Sequence, residues 1–224
     1  MRDNGSPVGG EALGHRAADA AGGAGDDGDA GRGDGVGHDA AETLLFDEGV
    51  RAVTFDRVAA QSGSSKTTLY KWWPSPGALA AEAYFASSQQ SLEFSDSGDA
   101  ATDIRSQLRA FVRLLTEGRA GRVIAELIGA AQLDPELSAA VSEGYTRPRR
   151  DLAKQTIEEA RRRGQLRPDV DADLLVDQLW GACYNRLLIP DNPLSTEYAD
   201  ALVRNALLGG ATPEYAPTLS EDAD

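Results

Sequence analysis

From residue 38 onward, apolar positions recur three and four residues apart, and no segment alternates apolar and polar over a strand's length. That spacing predicts an all-α chain of about nine helices. Ala41, Leu44, Leu45 and Phe46 form the inward stripe of a first helix that Gly49 stops. Thr54 offers an N-cap hydroxyl to a short helix, "FDRVAAQS", which ends at Gly63. Ser65 caps "KTTLYKWW", and Ser75 followed by Pro76 starts a fourth helix. Three short helices with a glycine-containing turn between the second and third have the layout of a helix-turn-helix unit, with the motif at 53–72.

Longer helices fill the rest. Ile104, Leu108, Phe111, Val112 and Leu115 mark one over 101–117, and "RVIAELIGAAQL" (122–133) is apolar enough to be buried. Asp134-Pro135 opens a pattern that runs to Gly164, with a kink or break expected at Pro148. Asp171 caps "ADLLVDQLWGACYNRLL", Pro190 closes it, and Ser195 opens "TEYADALVRNALL". The pattern divides the chain into a helix-turn-helix domain at 38–80 and a helical domain at 81–210. Residues 1–37 hold 12 of the 24 glycines and no aromatic, so they read as a disordered Gly/Asp-rich arm. Residues 211–224 read as a disordered tail.

Composition narrows the possibilities. The one cysteine, Cys183, cannot form an intrachain disulfide, and with two histidines it is too little for a zinc cage. No apolar run approaches the roughly 18 residues that span a bilayer, and no signal-peptide core is present, so a soluble cytoplasmic protein without metal or cofactor is expected. The net charge of −14 opposes nucleic acid, but it is uneven. Residues 41–80 balance 4 basic against 4 acidic groups, and "SGSSKTTLYKWWPSPGAL" (62–79) has two lysines and no acid.

That last segment carries the candidate chemistry. A helix entering a major groove about 12 Å wide must be short and must display hydrogen-bonding groups and phosphate contacts. Leu69 is the inward position of the third helix. Ser65, Lys66, Thr67, Thr68, Tyr70, Lys71 and Trp72 are left to supply hydroxyls, cations and rings with polar tips, whereas Trp73 packs inward against the fourth helix. The alternative is that the aromatics beside the proline are all packing residues. Elsewhere, the basic run at 143–167 reads as a solvated helix face with pairs such as Glu158–Arg162. Neither His15 nor His38 lies in a core position, and no phosphate-binding glycine loop or nucleophile motif is present, so no enzyme is expected.

Residues 38–79 resemble the DNA-binding domain of TetR-type transcriptional regulators. The resemblance rests on "AA..LL" at 40–45, Gly49, Thr54, "VA..SG" at 58–63 and "SKTTLYKWWPS" at 65–75. It implies a homodimer with one recognition helix, Ser65–Trp72, per subunit on a palindromic double-stranded operator, and a helical C-terminal domain that binds a small effector. By that resemblance Thr54, Lys66, Thr68, Tyr70 and Lys71 contact phosphates, while Thr67 and its neighbours read bases. A looser match covers "RVIAELIGAAQLDPELSAAV" and "YNRLLI", so the resemblance extends over residues 38–209.

Three features depart from the family. Pro76 stands where a lysine is usual, Ser64 where a small apolar residue packs the turn, and the arm is acidic where the family has a basic one. Each lowers the expected affinity for nonspecific DNA. The expected effector pocket draws on Phe111, Leu115, Leu127, Trp180, Cys183 and Tyr184, although Trp180, Cys183 and Tyr184 serve equally well as core. Helices near 171–189 and 195–209 are expected to pair two subunits into a repressor that the effector releases. The rival reading is a helical ligand-binding or scaffold dimer whose DNA-reading function is weakened or lost.

Overall fold

In the computed structural model, which describes residues 30–88, 95–189 and 191–217, capping side chains begin the helices where the sequence places them. The first three helices are α1 (Ala30–Glu48), α2 (Phe55–Ser62) and α3 (Lys66–Trp72), with a 3₁₀ turn at Val50–Ala52 between the first two. Thr54 Oγ1 accepts from Arg57 N at 3.3 Å, and Ser65 Oγ accepts from Thr68 N at 3.0 Å, each satisfying a backbone donor that a helix start leaves without a partner. Gly63 ends α2 at φ 73°, a left-handed conformation that turns the chain into α3 and disfavours any residue with a Cβ. Leu45, Val58 and Leu69, one from each helix, are fully buried together with Trp73 and Phe55.

The helix α4 (Pro76–Ser88) follows, with Ser75 Oγ accepting from Ala78 N, and it packs on α1 behind the three-helix unit. Beyond it lie α5 (Ala100–Thr116), α6 (Ala120–Ala131), α7 (Pro135–Val141), α8 (Arg147–Arg162), α9 (Ala172–Val176), α10 (Ala182–Leu188) and α11 (Thr196–Gly210). A π turn at Ser142–Thr146 fuses α7 to α8, and a second at Asp177–Gly181 fuses α9 to α10, giving nine continuous helices among the described residues. The helix α5 lies at the centre of this half, against α6, α8 and α11. Its buried stripe of Ile104, Leu108, Phe111, Val112 and Leu115 is the stripe that the spacing predicts.

Four expectations need correction. The first helix begins at Ala30, so residues 30–37 of the supposed arm are helical, and Gly37 is buried against Leu69 and Trp73. The rest of the arm, residues 1–29, lies outside the described residues. Residues 211–217 of the supposed tail are structured too. Ala211 bridges Leu166, and Tyr215 Oη donates to Asp99 Oδ1 at 2.7 Å while accepting from Ala101 N at 3.1 Å. Pro148 neither breaks nor ends its helix. It lies just after the π segment, and the helix continues through it to Arg162. Glu158 pairs with Arg161 rather than Arg162, while Glu159 pairs with Arg162 and, in the expected i,i+4 register, with Arg163 at 3.0 Å.

Candidate nucleic-acid interface and ligand cavity

Helix α3 divides cleanly by face. Leu69 and the following Trp73 are buried, and the indole Nε1 of Trp73 donates to Glu82 of α4 at 2.9 Å. That anchor fixes the roll of α3 about its axis. Ser65, Lys66, Thr67, Tyr70, Lys71 and Trp72 are consequently exposed on the far side, Tyr70 by 63% and Trp72 by 44%. Tyr70 meets Phe55 edge to face at 4.6 Å, and Lys71 Nζ lies 5.6 Å from the Trp72 ring, so both rings are oriented rather than free. Large aromatics held open to solvent by packing underneath have no use in a monomer's core. They are available to a partner surface.

The remaining predicted contacts are placed less simply. Thr68 is half-buried and shares its hydroxyl with Ser65 at 2.8 Å, and Thr54 is half-buried and occupied in capping α2. Lys66 is ion-paired with Asp56 of α2. Arg57, which the sequence alone does not single out, forms a two-pronged pair with Glu48 at 2.8 and 2.6 Å, and this bond holds the Glu48 carboxyl below its ordinary range.

A second set of contacts ties this unit to the helices behind it. Arg119 donates to the Phe46 carbonyl at 2.9 Å and to Asp47 at 2.7 Å, while Arg122 reaches the same carbonyl at 3.3 Å. Two cations thus cover the C-terminal end of α1, where the helix dipole favours them. Glu126 accepts from Val50 N at 2.9 Å. A Cβ on Gly49 would meet that carboxylate at 2.5 Å, and Gly49 itself has φ 97°, so the junction strongly favours glycine.

A cavity of about 170 Å³ lies among α5, α8 and the second π turn. Phe111, Tyr145, Trp180 and Tyr184 supply aromatic walls, and Gln107, Arg149, Arg150 and Asp177 supply polar groups. Phe111 and Tyr184 meet edge to face at 5.3 Å, and the hydroxyls of Tyr184 and Tyr145 are 3.5 Å apart. Burial pushes both phenols above their ordinary range, so they remain protonated donors. Arg150 bonds Asp177 at 2.5 Å and Asp173 at 3.0 Å, and Lys154 bonds Asp173 at 2.7 Å, fastening α8 to α9. Of the expected pocket residues, Phe111, Trp180 and Tyr184 line this cavity. Leu115, Leu127 and Cys183 do not, because they are buried in the packing between helices. Burial raises the Cys183 thiol to about 12, which leaves it an unreactive core group.

Tyr145 connects the two regions. Its ring stacks on Phe85 of α4 at 4.7 Å, nearly parallel, and the Arg149 guanidinium lies over the same Tyr145 ring at 5.3 Å. Tyr145 and Arg149 also face a wider cleft of about 820 Å³ that Trp72, Trp73 and α4 close from the other side. Sequence reasoning misses Tyr145 because it depends on the π turn, which places the side chain of a polar segment "SEGYT" inward.

Comparison with known proteins decides the assignment. Residues 38–83 match the model for bacterial regulatory proteins of the tetR family, and residues 94–206 match the tetracyclin repressor-like C-terminal domain. The uncharacterized HTH-type transcriptional regulator YdeS of Bacillus subtilis is 36% identical over 76% of this chain and 85% of its own. The chain belongs to the TetR family. It is therefore a DNA-binding, helix-turn-helix transcriptional regulator. The DNA-binding transcriptional repressor TetR of Mycobacteroides abscessus is 28% identical over 74% of this chain and 86% of its own. Among solved structures, the TetR family transcription regulator SCO0332 is 49% identical with a TM-score of 0.72, covering 82% of this chain and all of that one. No helix among the described residues is long and apolar enough to cross a membrane.

Proposed function

We propose that the protein is a cytoplasmic homodimeric repressor that binds a palindromic operator and is released by a small effector held in the α5/α8 cavity. The observation that carries the reading is the exposed face of α3, where two rings and two lysines stand on a helix whose other face is locked by Leu69 and Trp73. On DNA, Lys66 exchanges Asp56 for a phosphate, and Lys71, Tyr70 and Ser65 add backbone contacts, leaving Thr67 and Trp72 toward the bases. The pairing surface draws on α10 and α11, which leave Leu188, Ile189 and Leu208 exposed. Pairing through it sets the two recognition helices about 34–36 Å apart, one turn of duplex.

Release follows from differential affinity of the effector for two arrangements. A ligand in the cavity presses on Tyr145, Tyr145 bears on Phe85 of α4, and α4 packs on α1, so the reading head turns with α4. A fluorescence-anisotropy titration of the full chain on the duplex flanking its own gene tests this. Specific binding that exceeds binding to random duplex by a hundredfold or more supports the regulator. Equal, weak binding to both duplexes favours the scaffold-dimer reading instead.

A further inference from the structure

We propose that the effector is a monocyclic aromatic carboxylate of the benzoate class, an inference that rests on the effector reading above. Size comes first. An apolar cavity of about 150 Å³ holds one benzene ring, so the 170 Å³ here admits one ring with a small substituent and excludes fused polycycles. Shape comes next. Phe111, Tyr145, Trp180 and Tyr184 offer flat faces and edges to a planar guest, whereas an aliphatic chain would leave ring faces unmatched.

Polarity then selects the substituent. Gln107 is 3% exposed, and its carboxamide oxygen accepts from Trp180 Nε1 at 3.0 Å. That bond fixes the amide, and Gln107 Nε2 has no acceptor among the described residues. A nine-tenths-buried donor lining a cavity calls for an acceptor on the guest. The Tyr145 hydroxyl, which accepts from Tyr184 Oη at 3.5 Å, adds a second donor. The charged groups lining the cavity are Arg149, Arg150 and Asp177, an excess of one positive charge. Donors without a matching acceptor, beside the guanidiniums of Arg149 and Arg150, recognise an anion. A carboxylate offers two acceptor oxygens in the plane of its ring, enough for the Gln107 amide and the Tyr145 hydroxyl.

Calorimetry and thermal shift with benzoate, benzyl alcohol and cyclohexanecarboxylate test the class on the full chain, with operator anisotropy read in parallel. Benzoate is expected to bind at least tenfold more tightly than either analogue and to raise Tm. Gln107→Glu keeps an acceptor for Trp180 Nε1 but replaces the free donor with an anion. It should fold, as circular dichroism checks, and lose benzoate by tenfold or more while benzyl alcohol is unaffected. Analogues that bind as well as benzoate, or unchanged benzoate affinity in Gln107→Glu, overturn the class. Benzoate that binds without releasing operator overturns the effector reading and leaves the ligand class standing. A different compound that releases operator while benzoate does not bind does the reverse.

Discussion

Lys66 is one exposed cation among many by sequence, yet its neighbour gives it a specific role. Asp56 holds it in the free protein, so part of the energy gained on a phosphate is spent separating that pair. Lys66→Ala is expected to weaken binding to every duplex and to lower the salt slope by about one. A slope equal to wild type would remove Lys66 from the phosphate contacts. Tyr215 is a second residue whose weight comes from its partners. Burial works to raise the Asp99 carboxyl, but hydrogen bonds from Tyr215 and Thr102 outweigh it and leave the group below its ordinary range. A carboxyl so lowered stabilises the fold above its unfolded value of about 3.9, and that contribution is lost as pH falls through the folded value. Tyr215→Phe should therefore cost about 1–2 kcal/mol in urea denaturation at pH 7, with the difference shrinking below pH about 4.

Elements were legible wherever punctuation was local. Thr54, Ser65, Asp134, Asp171 and Ser195 each start the helix that their sequence context predicts, because a cap bonds a backbone N–H within three residues. Long-range pairings were not legible. Gln107 meets Trp180 across 73 positions, and Glu126 meets Val50 across 76, and neither leaves a pattern in its own segment. The π turns also escape a 3.6-residue reading, since each inserts a residue that shifts the inward face. That is why Tyr145 faces a cavity although its own segment reads as polar. The α1–α6 junction makes a prediction at this scale. Glu126→Ala leaves Val50 N without its partner and loosens the head on α6, which Arg119 and Arg122 still hold, so operator affinity should fall several-fold with a stability loss of about 1 kcal/mol. Affinity unchanged in an anisotropy titration would show that the junction does not orient the head.

The whole molecule is strongly acidic but locally neutral over residues 41–80, which hold the proposed DNA-contacting helix. Residues 1–29 carry 2 basic and 6 acidic groups. Because α1 begins at Ala30 and Gly37 packs under α3, a truncation that tests the arm must stop at residue 29 to leave the reading head whole. Removing residues 1–29 should raise affinity for random duplex several-fold at low salt, with the gain fading as salt screens the repulsion. No change, or weaker binding, would show that the arm does not repel the backbone. The basic run of α8 does not compensate for this acidity, since Arg150, Lys154, Arg161, Arg162 and Arg163 are each paired with carboxylates.

The three tryptophans occupy three different surroundings: Trp72 open on the recognition helix, Trp73 sealed against Glu82, and Trp180 on the cavity wall beside Gln107. Indole emission shifts red in water and blue in an apolar shell, so the chain carries its own optical reporters. Duplex binding perturbs the reddest component and cavity occupancy a bluer one, while Trp73 supplies an internal reference. Replacing Trp72 or Trp180 singly with phenylalanine would leave a spectrum that follows one event at a time, without any attached dye.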